Sequence, residues 1–132
     1  MFLNQLSHQE KKMFLDLSIH IAKANDFMSA EEKQLISGYC IEMQLPPIEL
    51  YETESLETIF DYFSMSDFHV KKIVMLEILG LVYADGSYDS EEEKVVKQFA
   101  EKTGISDESY AEIHDVIKKY YLICKEMSDV IS

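Results

Sequence analysis

The run Asp85-Gly86-Ser87-Tyr88-Asp89-Ser90-Glu91-Glu92-Glu93 holds the densest set of carboxylates in the chain, at a point where one helix must turn into the next. Carboxylate oxygens converging on such a corner are the ligands a hard divalent cation requires, and they also present negative charge to a basic protein surface. The spacing is not that of an EF-hand. Counted from Asp85, the sixth and twelfth positions are Ser90 and Val96, where that loop needs Gly and Glu. Helix chemistry accounts for part of the cluster: Asp89 and Glu92 read as an N-cap with its box partner, Gly86 as a turn residue, and acids in a first helical turn complement the helix dipole. A surplus of carboxylates remains beyond those needs, and Asp85, Asp89 and Glu92 are the candidate ligands for calcium, manganese, magnesium or zinc.

A weaker version of the same corner lies in the first half, where Asn25, Asp26, Ser29, Glu31 and Glu32 follow one another. Asp26 and Glu32 are its candidate acids. Other constellations are missing. His8, His20, His69 and His114 are scattered, and no HExxH or ExxH pair supplies a zincin or di-iron site. There is no nucleophile elbow, Walker motif or dinucleotide-binding glycine pattern, so no catalytic residue is assigned. Cys40 and Cys124 are far apart at apolar positions of expected helices, which reads as reduced core thiols and favours the cytoplasm. Glu77 interrupts the apolar run Ile73 to Ala84; it is either a buried carboxylate or part of an exposed strip where Gly80 and Ala84 admit a neighbouring helix.

These residues must be held by helices. Glycines number four and prolines two, and no stretch alternates apolar and polar residues long enough for a strand. Ser7 with Glu10 forms a capping box, and Met13, Phe14, Leu17, Ile21 and Ala24 then recur at three- and four-residue steps, predicting a helix from about Ser7 to Asn25. Ser29 with Glu32 starts a second, with Leu35, Ile36, Tyr39, Cys40 and Met43 on one face, ending before Pro46 and Pro47. Leu50, Leu56, Ile59, Phe60 and Phe63 predict one bent or two short helices with a break at Thr53 to Ser55. The next begins near Ser66 or Asp67 and is apolar almost all round, which makes it the most central. Asp89 caps a fifth that ends at Gly104. Ser106 starts the last, whose stripe of Tyr110, Ile113, Val116, Ile117, Tyr120, Cys124 and Met127 runs to about Ser128. Tyrosines and methionines at this spacing read as core.

Shifted by 60 residues, the chain pairs with itself without a gap: Lys11-Lys12 meet Lys71-Lys72, Ala24 meets Ala84, and Glu31-Glu32 meet Glu91-Glu92. The expected fold is therefore all-α, a single compact bundle of six to seven helices over residues 1-132, built from pseudo-repeats of about 7-66 and 67-126. The segment LGLVYADGSYDSEEEKVV, with its apolar helix, Ala84-Asp85-Gly86, Tyr88, the cap Asp89 and Glu92, resembles the TerB-like family of tellurite-resistance proteins. The first half, IHIAKANDFMSAEEKQLI, is similar but has Asn25 and Asp26 where the family has Asp and Gly. The resemblance implies two related helical halves, a cytoplasmic or membrane-associated stress-response role, and an acidic surface holding divalent metal. It carries Asp85 and Glu92 over directly, Asp26 and Glu32 loosely.

Twelve basic residues against twenty-five acidic ones leave a formal charge of -13, which repels nucleic acid and anionic lipid. The N-terminal MFLNQLSHQEKK lacks the pattern of a signal peptide, and the apolar run Ile73 to Ala84 is too short to cross a bilayer. The reading is thus a non-enzymatic binding module whose acidic turns take a divalent cation or a basic protein partner. Two alternatives stay open: a small enzyme or carrier with a pocket between the halves near Glu77 or Tyr120-Tyr121, and an oligomerisation or adaptor domain.

Overall fold

The structure is a computed structural model that describes residues 1-46, 53-84 and 89-132. Among these the chain forms a short 3-10 turn at Leu3–Gln5 and six α-helices, with no strand. They are α1 (His8–Ala22), α2 (Ala30–Glu42), α3 (Leu56–Ser64), α4 (Phe68–Val82), α5 (Ser90–Thr103) and α6 (Asp107–Ile131). Every one of the six starts on an oxygen-bearing cap: Ser7, Ser29, Ser55, Asp67, Asp89 and Ser106 each accept a hydrogen bond from the backbone N–H three residues on. Capping satisfies donors that a helix end otherwise leaves open, which is why the starts follow the sequence so closely.

The ends depart more. Helix α1 stops at Ala22, three residues before Asn25, because Lys23 closes the last turn and Asp26 takes a left-handed φ of 63°. Helix α2 stops at Glu42 instead of running to the prolines, and Gln44 takes a φ of 58° as Leu45 N–H folds back onto Cys40 C=O. The expected break at Thr53 to Ser55 is the start of α3; Leu50 and Pro47 lie outside the described residues. Gly104, at φ 82°, ends α5 as its type predicts.

Helices α1 and α4 are both central. Helix α4 packs on α1, α5 and α6, while α1 packs on α2, α3, α4 and α5. Met13 through Ile19 are consecutively buried, so α1 is enclosed on all sides, where the sequence indicated a single apolar face. Its polar members are satisfied internally: Ser18 donates to Phe14 C=O, and Asp16 accepts from Thr53, which with the His20 contact to Glu54 C=O ties the start of α3 to α1. Of the two placements open for Glu77 it takes the buried one, because Met1 and Phe2 fold across it, and Gly80 beside it lies against Tyr121 and Ile117 of α6. One other reading is corrected. On α6 only Ile117 is buried; Val116, Tyr120 and Met127 are exposed, because α6 continues past the helices it packs on.

The boundaries of α1 and α4 differ by 60 residues at both ends, and α2 and α5 begin 60 residues apart. Residues 47-52, which that shift sets against the start of α6, lie outside the described residues. No helix among the described residues is long and apolar enough to cross a membrane.

Candidate functional site

The two corners expected to be acidic meet. Asn25, which opens the first, donates its side-chain amide to Asp89 Oδ2 at 2.5 Å, while Asp89 Oδ1 accepts the N–H of Glu92 at 2.9 Å. Asp89 is therefore both the cap of α5 and the tie between residues 64 positions apart. Asn25 is set for this role by its own turn, since its Oδ1 accepts Phe27 N–H at 3.1 Å. Sequence reading left Asn25 out of the candidate acids; its signal was the Asn-Asp pair that opens the turn.

The candidate acids divide by what they do. Glu32 is only 3% exposed, and its Oε1 accepts Ser29 N–H at 2.9 Å while Ser29 Oγ accepts Glu32 N–H at 3.1 Å, a closed capping box. Glu92 is equally buried at the matching place on α5. Asp26, Glu31 and Glu91 are exposed, Glu91 with Lys94 at 3.1 Å. Asp85 lies outside the described residues, as do Gly86 and Tyr88. Among the described residues no group of three or more His, Cys, Asp or Glu side chains is placed to hold a metal ion. Both Asp89 oxygens and one of Glu32 already accept hydrogen bonds within the protein. The described acids thus fit helix capping and a charged surface, and do not by themselves fit a cation cage.

Behind the corner sits a polar cluster not foreseen from the sequence. Tyr83 Oη lies 2.5 Å from His114 Nε2, and the His114 ring is 5.5 Å from that of Tyr83 and 5.7 Å from that of Tyr110. Glu93 is 6% exposed; its Oε1 is 3.8 Å from Lys97 Nζ and its Oε2 is buried with no hydrogen-bond partner among the described residues. Burial, then the Glu93 charge, raises the Tyr83 hydroxyl pKa. Burial lowers that of His114, against the opposing pull of Glu93.

The pocket expected near Glu77 and Tyr120-Tyr121 exists but measures about 220 Å³, below the several hundred Å³ of common ligand sites. Met1 is part of its lining: the terminal ammonium is 2.7 Å from Glu77 Oε1 and 3.0 Å from Glu42 Oε1. Tyr39 donates to Glu77 C=O and Tyr121 to Gly80 C=O, so the hydroxyls there are engaged. Burial, with neighbouring Tyr120, Cys124 and Glu77, pushes the Tyr121 pKa up to about 12. Comparison with protein-family models, curated proteins and solved structures returns no match for this chain.

The division of labour at Asp89 has a measurable consequence. Asp89→Ala removes a cap worth about 0.5–2 kcal/mol and the Asn25 tie, worth about 1 kcal/mol, so urea unfolding should show a loss of about 2 kcal/mol. Asn25→Ala should lose about 1 kcal/mol or less, and the double variant should be no worse than Asp89→Ala by more than about 0.5 kcal/mol. Strict additivity of the two losses would mean that the tie does not form.

Proposed function

We propose that this chain is a TerB-like, non-enzymatic binding module of the stress-response type, whose two joined acidic corners dock a basic protein surface. The observation that carries the reading is the Asn25–Asp89 hydrogen bond, which gathers Asp26, Glu31 and Glu91 at one end of the molecule while Glu32 and Asp89 serve as caps. What supports the two-halved, TerB-like part is the common 60-residue offset of α1 with α4 and of the starts of α2 and α5, each pair opening on equivalent caps. The formal charge of -13 supports a cationic counterpart, because long-range attraction speeds encounter and selects sign. An enzyme or carrier is the poorer reading, since the pocket by Glu77 is small and its Glu77 carboxylate and Tyr39 and Tyr121 hydroxyls are already engaged within the protein.

The test uses a fluorescent lysine-rich peptide of about twenty residues as the probe. Binding should weaken at least tenfold between roughly 50 and 300 mM salt, and the triple variant Asp26→Lys, Glu31→Lys, Glu91→Lys should weaken it about tenfold at low salt. A control with Glu101, Asp107 and Glu108 changed to lysine alters net charge equally and should bind far better than the corner variant. Salt-independent binding, or equal loss in the control, would sink the reading.

A divalent cation is the second reading. The unpartnered Glu93 Oε2 beside the second corner favours it, with Asp85 as the acid the TerB resemblance assigns. Melting the wild type and Asp85→Asn with calcium, magnesium, manganese and zinc separates the two: a rise in Tm for the wild type, lost in the variant, would move the assignment from basic partner to cation.

A further inference from the structure

Helix α6 is 25 residues long and α4, its main support, is 15, so roughly 15 Å of α6 extends beyond that support. Two stripes run along it. The inner one centres on Ile117, 2% exposed, and continues to the half-buried Tyr121 and Cys124. The second, Val116, Tyr120, Ile123, Met127 and Val130, steps by four, three, four and three residues, the spacing of a coiled-coil seam and not of a helix lying on a globular core. All five side chains are exposed, from 42% at Tyr120 to 82% at Val130. Apolar side chains in so regular a row, over four turns, form a contiguous surface and not scattered exposure.

Charge identifies the occupant. From Ile113 to Ile131 three lysines, Lys118, Lys119 and Lys125, stand against three acids, Asp115, Glu126 and Asp129, so the whole formal charge of -13 lies elsewhere in the chain. Two copies therefore meet along this segment without net repulsion. Lys119 and Glu126 directly precede Tyr120 and Met127, the flanking positions of the seam. In an antiparallel pair that sets Tyr120 against Ile123 and Val116 against Met127 of a second copy, Lys119 of each copy faces Glu126 of the other. A parallel pair sets Lys119 against Cys124 and leaves both charges without a counterpart.

We propose that α6 is the interface of an antiparallel, two-fold symmetric homodimer, closed by the seam Val116, Tyr120, Ile123, Met127 and Val130 and by two Lys119–Glu126 pairs between the copies. Such an interface is isologous, so it closes at two subunits and does not propagate. It does not rest on the acidic corners, and it would present two of them on one particle.

Sedimentation equilibrium from about 1 to 100 µM tests it on the full chain. The wild type should be a dimer at the upper end and Ile123→Asp a monomer throughout, with unchanged near-ultraviolet circular dichroism, because Ile123 is 53% exposed in the single copy. Lys119→Glu and Glu126→Lys should each weaken the dimer about tenfold or more by placing like charges together. The double swap Lys119→Glu with Glu126→Lys restores opposite signs only in the antiparallel pairing and should recover wild-type association to within a few-fold. A wild type monomeric at 100 µM overturns the proposal and leaves the stripe to another occupant. A dimer that survives Ile123→Asp, or a double swap as weak as either single change, overturns it as well.

Discussion

Phe99→Ala is expected to cost about 3–5 kcal/mol, the range for deleting a fully buried ring from the core. Phe99 is fully buried on α5 and meets two aromatic rings of α3 edge-on, Phe63 at 5.8 Å and 71° and Phe60 at 6.1 Å and 63°. Edge-to-face pairs add about 0.5–1.5 kcal/mol beyond the area they bury. The deleted ring leaves a void that Phe60 and Phe63, held on a helix of nine residues, cannot fill by moving without losing their own contacts. Since α3 packs chiefly on α5 and α1, the same change loosens the joint between the two halves of the chain. The measurement is the urea midpoint with its slope, and Tm should fall by roughly 10–20 °C. Phe27→Ala is the control: that ring is 68% exposed, and its loss should stay within about 0.5 kcal/mol. A Phe99→Ala protein within 1 kcal/mol of wild type would mean that α5 is not anchored through this cluster.

Glu77→Gln should cost about 2 kcal/mol at neutral pH and change how stability depends on alkali. Glu77 Oε1 accepts from the Met1 ammonium at 2.7 Å and from Phe2 N–H at 3.0 Å, while Glu42 takes the ammonium at 3.0 Å and Leu3 N–H at 2.9 Å. Together they hold the 3-10 turn and its fully buried Leu3 on α2 and α4. Burial lowers the pKa of the Met1 amine, but the hydrogen bonds and charges of Glu77 and Glu42 outweigh it and leave that pKa above its ordinary value of 8.0. A group that binds its proton more tightly when folded stabilises the native state fully below its unfolded pKa. That contribution is lost as pH rises through the raised folded value. Wild-type stability should therefore decline from about pH 8 upward, and Glu77→Gln should remove much of that decline while leaving Glu42 in place. Because Met1 is half exposed, solvent screening keeps the effect near the lower end for a charged pair. An unchanged alkaline slope in the variant would show that the amine is not held at Glu77.

The sequence by itself determined the helices and where they begin. Ser7, Ser29, Asp67, Asp89 and Ser106 identify helix starts because a cap is local chemistry, an oxygen meeting an N–H three residues away. It also carried the apolar faces of α2 and α5, the left-handed Gly104, and the acids of both corners. Helix ends at Ala22 and Glu42 were not legible, since Asp26 and Gln44 take left-handed conformations that their residue types do not require. Only the tertiary structure decided that Glu77 is buried against Met1, that α1 is enclosed on all sides, that Tyr120 and Met127 stand outside the core, and that Asn25 reaches Asp89. Each of these depends on which element lies beside which. Periodicity along one helix records that a face is apolar, but what covers that face is set by residues dozens of positions away.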